Sequence, residues 1–224
     1  MTVRQTPLEV RLILNTAIDM ADAHGIQALS MRKLASRLGV EAMSLYHHIA
    51  GKEELLDAMV ERVFDEIDLP VPGNDWREEM TQRAHSMRRA MTRHRWALGL
   101  VESRANPGPV TLRHHDAVVG TLRTAGFTVP QAAHAFALLD SFIYGFVLQE
   151  LSLPFHSGSE AAELAQSMLS RMPAGEYPHL VELAREHVLQ PGYDFSDEFS
   201  RGLAVILDGL TRMRLGEAPS VVAD

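Results

Sequence analysis

From Val10 to Leu210 the apolar residues of this chain recur at steps of three and four, and no segment alternates convincingly as a strand. That periodicity restricts the chain to an all-α fold, in which each helix buries one stripe against its neighbours. Val10, Ile13, Leu14, Ala17, Ile18 and Ala21 form the first stripe, which stops near Gly25. Ahead of it, Thr6-Pro7-Leu8-Glu9 reads as a capping box, with proline at the first helical position, so the first helix is predicted to start there. Ser30 is predicted to cap a short second helix carrying Leu34, Ala35 and Leu38. Gly39 then permits a sharp turn into a third helix over roughly residues 41–48. A fourth helix follows Gly51, with Leu56, Met59, Val60, Val63, Phe64 and Ile67 on one buried face.

The stretch Leu69-Pro70-Val71-Pro72-Gly73-Asn74-Asp75 breaks this rhythm and is the best domain boundary, giving domains 1–68 and 69–224. Beyond it only helical patterns follow, punctuated at residues 106–109, 126–130, 154–158, 173–175 and 191–192. Ala132 to Leu151 is apolar nearly all round, which predicts burial on more than one side. The last helix, roughly residues 195–214, repeats Phe199, Leu203, Ile206, Leu207 and Leu210 as one stripe.

Composition narrows the function. The chain has 224 residues, 46% hydrophobic and 22% charged, enough to fill a core and too apolar for global disorder. It has no cysteine, which removes thiol nucleophiles, thiolate metal sites and disulfides and suits a cytoplasmic protein. The start MTVRQTPLEVR has no signal-peptide core, and no run approaches the roughly 18 uninterrupted apolar residues of a membrane span. A formal charge of -8 argues against nucleic acid until it is divided along the chain. Residues 1–52 carry six Lys/Arg against four Asp/Glu, whereas the remainder carries fifteen against twenty-five. The whole-chain balance therefore hides a basic N-terminal segment.

That segment contains SMRKLASRLGVEAMSLYHHIAGK, residues 30–52: a helix, a glycine turn, and a short helix whose outward side chains are polar or aromatic. This is the build of a helix-turn-helix reader of duplex DNA. Ala42, Met43 and Ser44 stand near the start of the short helix, where apolar atoms meet thymine methyls and a hydroxyl meets base edges. Tyr46, His48 and Lys52 supply donors for phosphate oxygens, His47 reads either as a further DNA contact or as a solvated side chain, and Arg32 suits either a phosphate or a guanine.

The segment resembles the tetracycline-repressor (TetR) family of bacterial transcriptional regulators. The resemblance runs through Ala17-Ile18-Asp19-Met20-Ala21, Gly25-Ile26, Leu29-Ser30-Met31-Arg32-Lys33-Leu34-Ala35, Leu38-Gly39-Val40, Leu45-Tyr46-His47-His48-Ile49 and Lys52-Glu53-Glu54-Leu55-Leu56. More weakly, Phe199-Ser200-Arg201-Gly202-Leu203 with Ile206-Leu207-Asp208-Gly209-Leu210 looks like the end of the ligand-binding domain in the branch of the tetracycline repressor itself. The resemblance implies an all-helical homodimer whose N-terminal reader binds a palindromic operator and whose C-terminal domain holds a small-molecule effector. It places Arg32, Ala42, Met43, Ser44, Tyr46, His48 and Lys52 toward DNA, with Tyr46 and Lys52 on phosphates. Ala42 and Met43 differ from the tetracycline repressor, so the operator sequence does not carry over.

Effector contacts are sought among Met87, Met91, His94, Trp96, Phe136, Phe142, Phe146 and Gln149, with Leu100, Tyr144 and Phe155 beside them, because apolar walls with a few polar groups make ligand sites. The same residues also read as plain core or dimer contact. Among the eleven histidines, His114 and His115 point about 100° apart on a helix and share no face for a metal. Catalytic and cofactor fingerprints are absent from the sequence, so neither an enzyme nor a cofactor is expected. The rival reading is a helical small-molecule-binding protein or enzyme that carries a vestigial DNA-binding unit.

Overall fold

The computed structural model describes residues 9–101, 103–104 and 107–216, which hold helices and turns and no strand. The helices are α1 (Val10–His24), α2 (Met31–Leu38), α3 (Ala42–Tyr46), α4 (Lys52–Phe64), α5 (Trp76–Arg93), α6 (Leu98–Val101), α7 (Pro109–Thr124), α8 (Val129–Ser152), α9 (Gly158–Arg171), α10 (Pro178–Leu183) and α11 (Asp197–Arg214). Two compact units result, Met1–Val147 and Leu148–Asp224.

In the first unit, α1 buries Ile13, Ala17, Ile18 and Ala21, and α2 buries Met31, Leu34 and Ala35 against it. The expected capping box fares differently: Thr6, Pro7 and Leu8 lie outside the described residues, and Glu9 is itself the extended cap residue, with no side-chain capping bond. The Ser30 hydroxyl does cap α2, accepting from Lys33 N at 3.3 Å, a contact worth about 1 kcal/mol. Gly39 sits at φ 70°, the left-handed region that glycine enters without steric cost, and its N–H closes the last turn of α2.

The third helix is one turn, Ala42–Tyr46, shorter than its expected span, because His47 and His48 continue as a turn. Five residues do not hold a helix in water, so the anchors are tertiary: Leu45 and Ile49 are buried in the three-helix core. The fourth helix ends at Phe64, and Ile67 reaches the core from the turn beyond it.

Around α4 stand α5 and α7, and α8 joins them through an ion pair between Arg83 on α5 and Asp140. By length and composition alone α8 is apolar enough to cross a bilayer, the one such helix among the described residues. It buries a single stripe, Ala132, Ala135, Leu139, Ile143, Phe146 and Val147, so the expectation of burial on several sides fails within one chain. Leu138 and Leu148 stay exposed.

In the second unit, Ser157 and Glu160 cap α9 reciprocally: Ser157 Oγ accepts from Glu160 N at 3.3 Å, and Glu160 accepts from His156 N at 2.6 Å. Phe199, Leu203, Leu207 and Leu210 form the buried stripe of α11, as their spacing predicts.

Candidate nucleic-acid interface and effector cavity

The reader separates cleanly into anchors and outward groups. Of the residues at the start of α3, Met43 is 69% exposed, and Ala42 and Ser44 are half-buried. An exposed methionine on a one-turn helix contributes nothing to the core and leaves an apolar surface available to a partner. Tyr46 is 44% exposed, and His47, His48, Arg32 and Lys52 are exposed as well. All eight predicted DNA contacts are thus solvent-accessible, with Leu45 and Ile49 turned inward between them.

Lys52 occupies the first position of α4 after Gly51, which gives no side-chain cap. A cation there opposes the positive end of the helix dipole, so it does not stabilise the helix. The same position suits a phosphate, which would meet the ammonium and the free N–H groups of the helix start together.

The eight predicted effector contacts scatter. Met87 and Met91 are fully buried on α5, Phe146 is buried on α8, Phe136 and Phe142 are half-buried, and Gln149 is exposed in the second unit. His94 and Trp96 are committed to other partners: Trp96 Nε1 donates to Asp22 at 2.6 Å, and His94 Nδ1 faces both oxygens of Asp22 at 2.9 and 3.0 Å. His94 Nε2 faces Glu66 at 3.3 Å, and Arg93 donates to the same carboxylate. This cluster ties α1 to the turn after α5. Among the described residues no group of three or more His, Cys, Asp or Glu is arranged to hold a metal ion.

A cavity beside α4 is lined by other residues. About 170 Å³ lies between α4 and α7, bounded by Asp57, Glu61, Phe64, Arg104, Thr111 and His115 among others. Glu61 accepts from Val110 N at 2.7 Å, Thr111 N at 3.0 Å and Thr111 Oγ1 at 2.5 Å, so a carboxylate from α4 caps α7. Gly108 makes room for it, because a Cβ there would fall 2.3 Å from Glu61 Cδ. Arg104 donates from Nε to Asp57 at 2.5 Å and from Nη2 to Glu53 at 3.0 Å; the Asp57 bond, foremost, pushes its pKa up. Sequence reasoning missed Glu61, Asp57 and Arg104. The available signal was the run Glu53, Asp57 and Glu61, spaced by four on α4, which puts three carboxylates on one helix face.

Comparison with known proteins identifies the family. The tetR family of bacterial regulatory proteins matches residues 13–59, which span α1 to α3 and the start of α4. The tetracyclin repressor-like C-terminal domain matches residues 69–214. The HTH-type transcriptional repressor DrrR1 of Streptomyces coeruleorubidus is 33% identical over 207 residues, covering 88% of this chain and 75% of its own. The class A tetracycline repressor protein from transposon 1721 of Escherichia coli is 32% identical over 213 residues, covering 94% of each. The Streptomyces coelicolor TetR family protein ActR, solved in complex with actinorhodin, superposes with a TM-score of 0.75 at 31% identity, covering 93% of this chain and 99% of that one. With one match on the reader, a second over most of the remainder, and relatives that are transcriptional regulators along nearly the full length, this chain belongs to the TetR family.

Proposed function

We propose that the protein represses transcription as a two-fold dimer in the cytoplasm, is released from a palindromic operator by a small molecule, and carries out no catalytic step of its own. The observation that carries this reading is the split in α3: Leu45 is buried while Met43 and Tyr46 stand exposed beside Lys52. In this reading Ala42, Met43 and Ser44 meet base edges, while Tyr46, His47, His48 and Lys52 meet phosphates, with Arg32 at the opening of α2. Residues 1–68 serve as reader and connecting helix, and residues 69–224 as effector and dimer region. The uncovered apolar residues Leu138 on α8 and Val205 on α11 are the surfaces that a second copy would cover.

Effector binding beside α4 changes the separation of the two readers, because Phe64 and Ile67 tie the reader to the effector region. A hundredfold change in operator affinity requires about 2.7 kcal/mol of differential effector binding between the two arrangements.

The test is operator binding by the Tyr46→Phe and Lys52→Ala variants across a salt series. About six charged phosphate contacts would give log K against log salt a slope near -5, and Lys52→Ala would make that slope shallower by about 1. Both variants are expected to bind at least several-fold more weakly with unchanged thermal unfolding. Unaltered binding by both, or a flat salt response, contradicts the assignment and favours a ligand-binding protein with a vestigial reader.

A further inference from the structure

Lysine is nearly missing from this chain. Of its 21 basic side chains only Lys33 and Lys52 are lysines, and all fifteen cations after residue 52 are arginines. The two cations differ in chemistry: a guanidinium stays charged and forms paired hydrogen bonds to carboxylates, whereas an ε-amine is the group that activated acyl carbons modify. The structure divides their work accordingly. Arg83 holds Asp140, Arg93 holds Glu66, and Arg104 holds Asp57 and Glu53. Both lysines are exposed, and among the described residues neither of their ammonium groups has an ion pair or a hydrogen bond.

Lys52 is uncommitted despite its neighbours. It opens α4 with Glu53 and Glu54 beside it in the first turn. Glu54 accepts from Ala50 N at 2.5 Å, and Glu53 accepts from Arg104 at 3.0 Å, so both carboxylates are used elsewhere. The positive end of the helix dipole opposes a cation at this position, so the fold gains nothing from the charge. Neutralising Lys52 would therefore leave α4 standing while removing one of the donors that the reader offers to phosphate. Lys33 lies in a groove with Asp19 and Arg37 on α1 and α2 and is not among the eight expected DNA contacts.

We propose that Lys52 is an acylation site through which an activated acyl donor, an acyl phosphate or an acyl thioester, lowers operator affinity independently of the effector. This rests on the DNA reading above and adds a second control to it. The free amine of Nζ attacks the acyl carbon and an N–C bond forms. The C–O bond to phosphate or the C–S bond to thiolate breaks, and the proton lost from nitrogen goes to the leaving group. The product is a neutral amide, so each reader loses one positive charge and one phosphate contact. No side-chain amine lies beyond residue 52, so lysine acylation leaves every side chain of the effector and dimer region as it was.

The test incubates the full-length protein with acetyl phosphate in one arm and acetyl-coenzyme A in the other, and maps acetyl groups by peptide mass spectrometry. Affinity is then read on the inverted-repeat duplex that the unmodified protein selects. At least one donor is expected to acetylate Lys52, and the arm in which it does so identifies the source of the acyl group. Affinity is expected to fall about tenfold or more in step with Lys52 occupancy, with unchanged thermal unfolding. Lys33→Arg is expected to lose affinity on treatment as the unaltered protein does, whereas Lys52→Arg, whatever its own starting affinity, is expected to lose none. Acetylation of Lys52 by neither donor, undiminished binding once it is acetylated, or an equal loss in Lys52→Arg overturns the proposal. Any of these with operator binding by the unmodified protein intact leaves the repressor reading standing; failure of the unmodified protein to bind any duplex sinks both.

Discussion

His114 is a buried histidine, 1% exposed. Burial lowers its pKa from the ordinary 6.5 to about 3, so between those values the unfolded chain takes up a proton that the folded chain refuses. Stability is therefore fully present above pH 6.5, declines as the pH falls toward 3, and loses nothing further from this group below that. The loss amounts to about 3–5 kcal/mol. In urea unfolding at pH 7 and pH 4, the difference between the two pH values is expected to shrink by at least about 2 kcal/mol in His114→Leu; an equal loss in both proteins would show that His114 charges freely in the fold. The sequence displays the pair His114-His115 but not which of the two is buried, because Phe64 and Phe136, distant along the chain, decide it. Arg83 left a trace that sequence reasoning passed over: it occupies the apolar stripe Met80, Ala84 and Met87, and its partner Asp140 is the one acidic residue between Asp116 and Glu150.

Among the elements, α4 is tied to α7 by a side chain. Its Glu61 carboxylate takes the place that an anion would hold at the start of α7, satisfying two backbone N–H groups and a hydroxyl. Glu61→Ala is expected to destabilise the fold by about 1–3 kcal/mol, and Glu61→Gln by less, since an amide oxygen still accepts. Denaturant midpoints measure this, and equal midpoints for wild type and Glu61→Ala would remove the clamp from the account. The helices themselves were legible: stripes at three and four, Ser30 as a cap and Gly39 as a turn all reappear where the sequence puts them. The extent of α3 was not, because a one-turn helix is held by Leu45 and Ile49 packing on other helices rather than by its own propensity. Contacts between elements, such as Asp22 with His94 and Trp96, span more than seventy residues and leave no local signature.

For the whole molecule, the decisive features are charge division and symmetry. A body with fifteen basic and twenty-five acidic side chains after residue 52 repels DNA, so attraction must come from the N-terminal reader. One reader with a single-turn helix offers few base contacts, and pairing two of them at a spacing of about 34–36 Å, or a multiple, gives the specificity that one lacks. Fold class and reader were readable from sequence because they rest on local periodicity and a tightly spaced motif. The cavity between α4 and α7 was not, because Asp57, Arg104 and Thr111 meet only after folding. Selection of genomic fragments by the intact protein, repeated across ionic strengths, tests the account most directly. Recovery of an inverted repeat, its half-sites on one face of the duplex, is the predicted result; recovery of no inverted repeat at any ionic strength would contradict it.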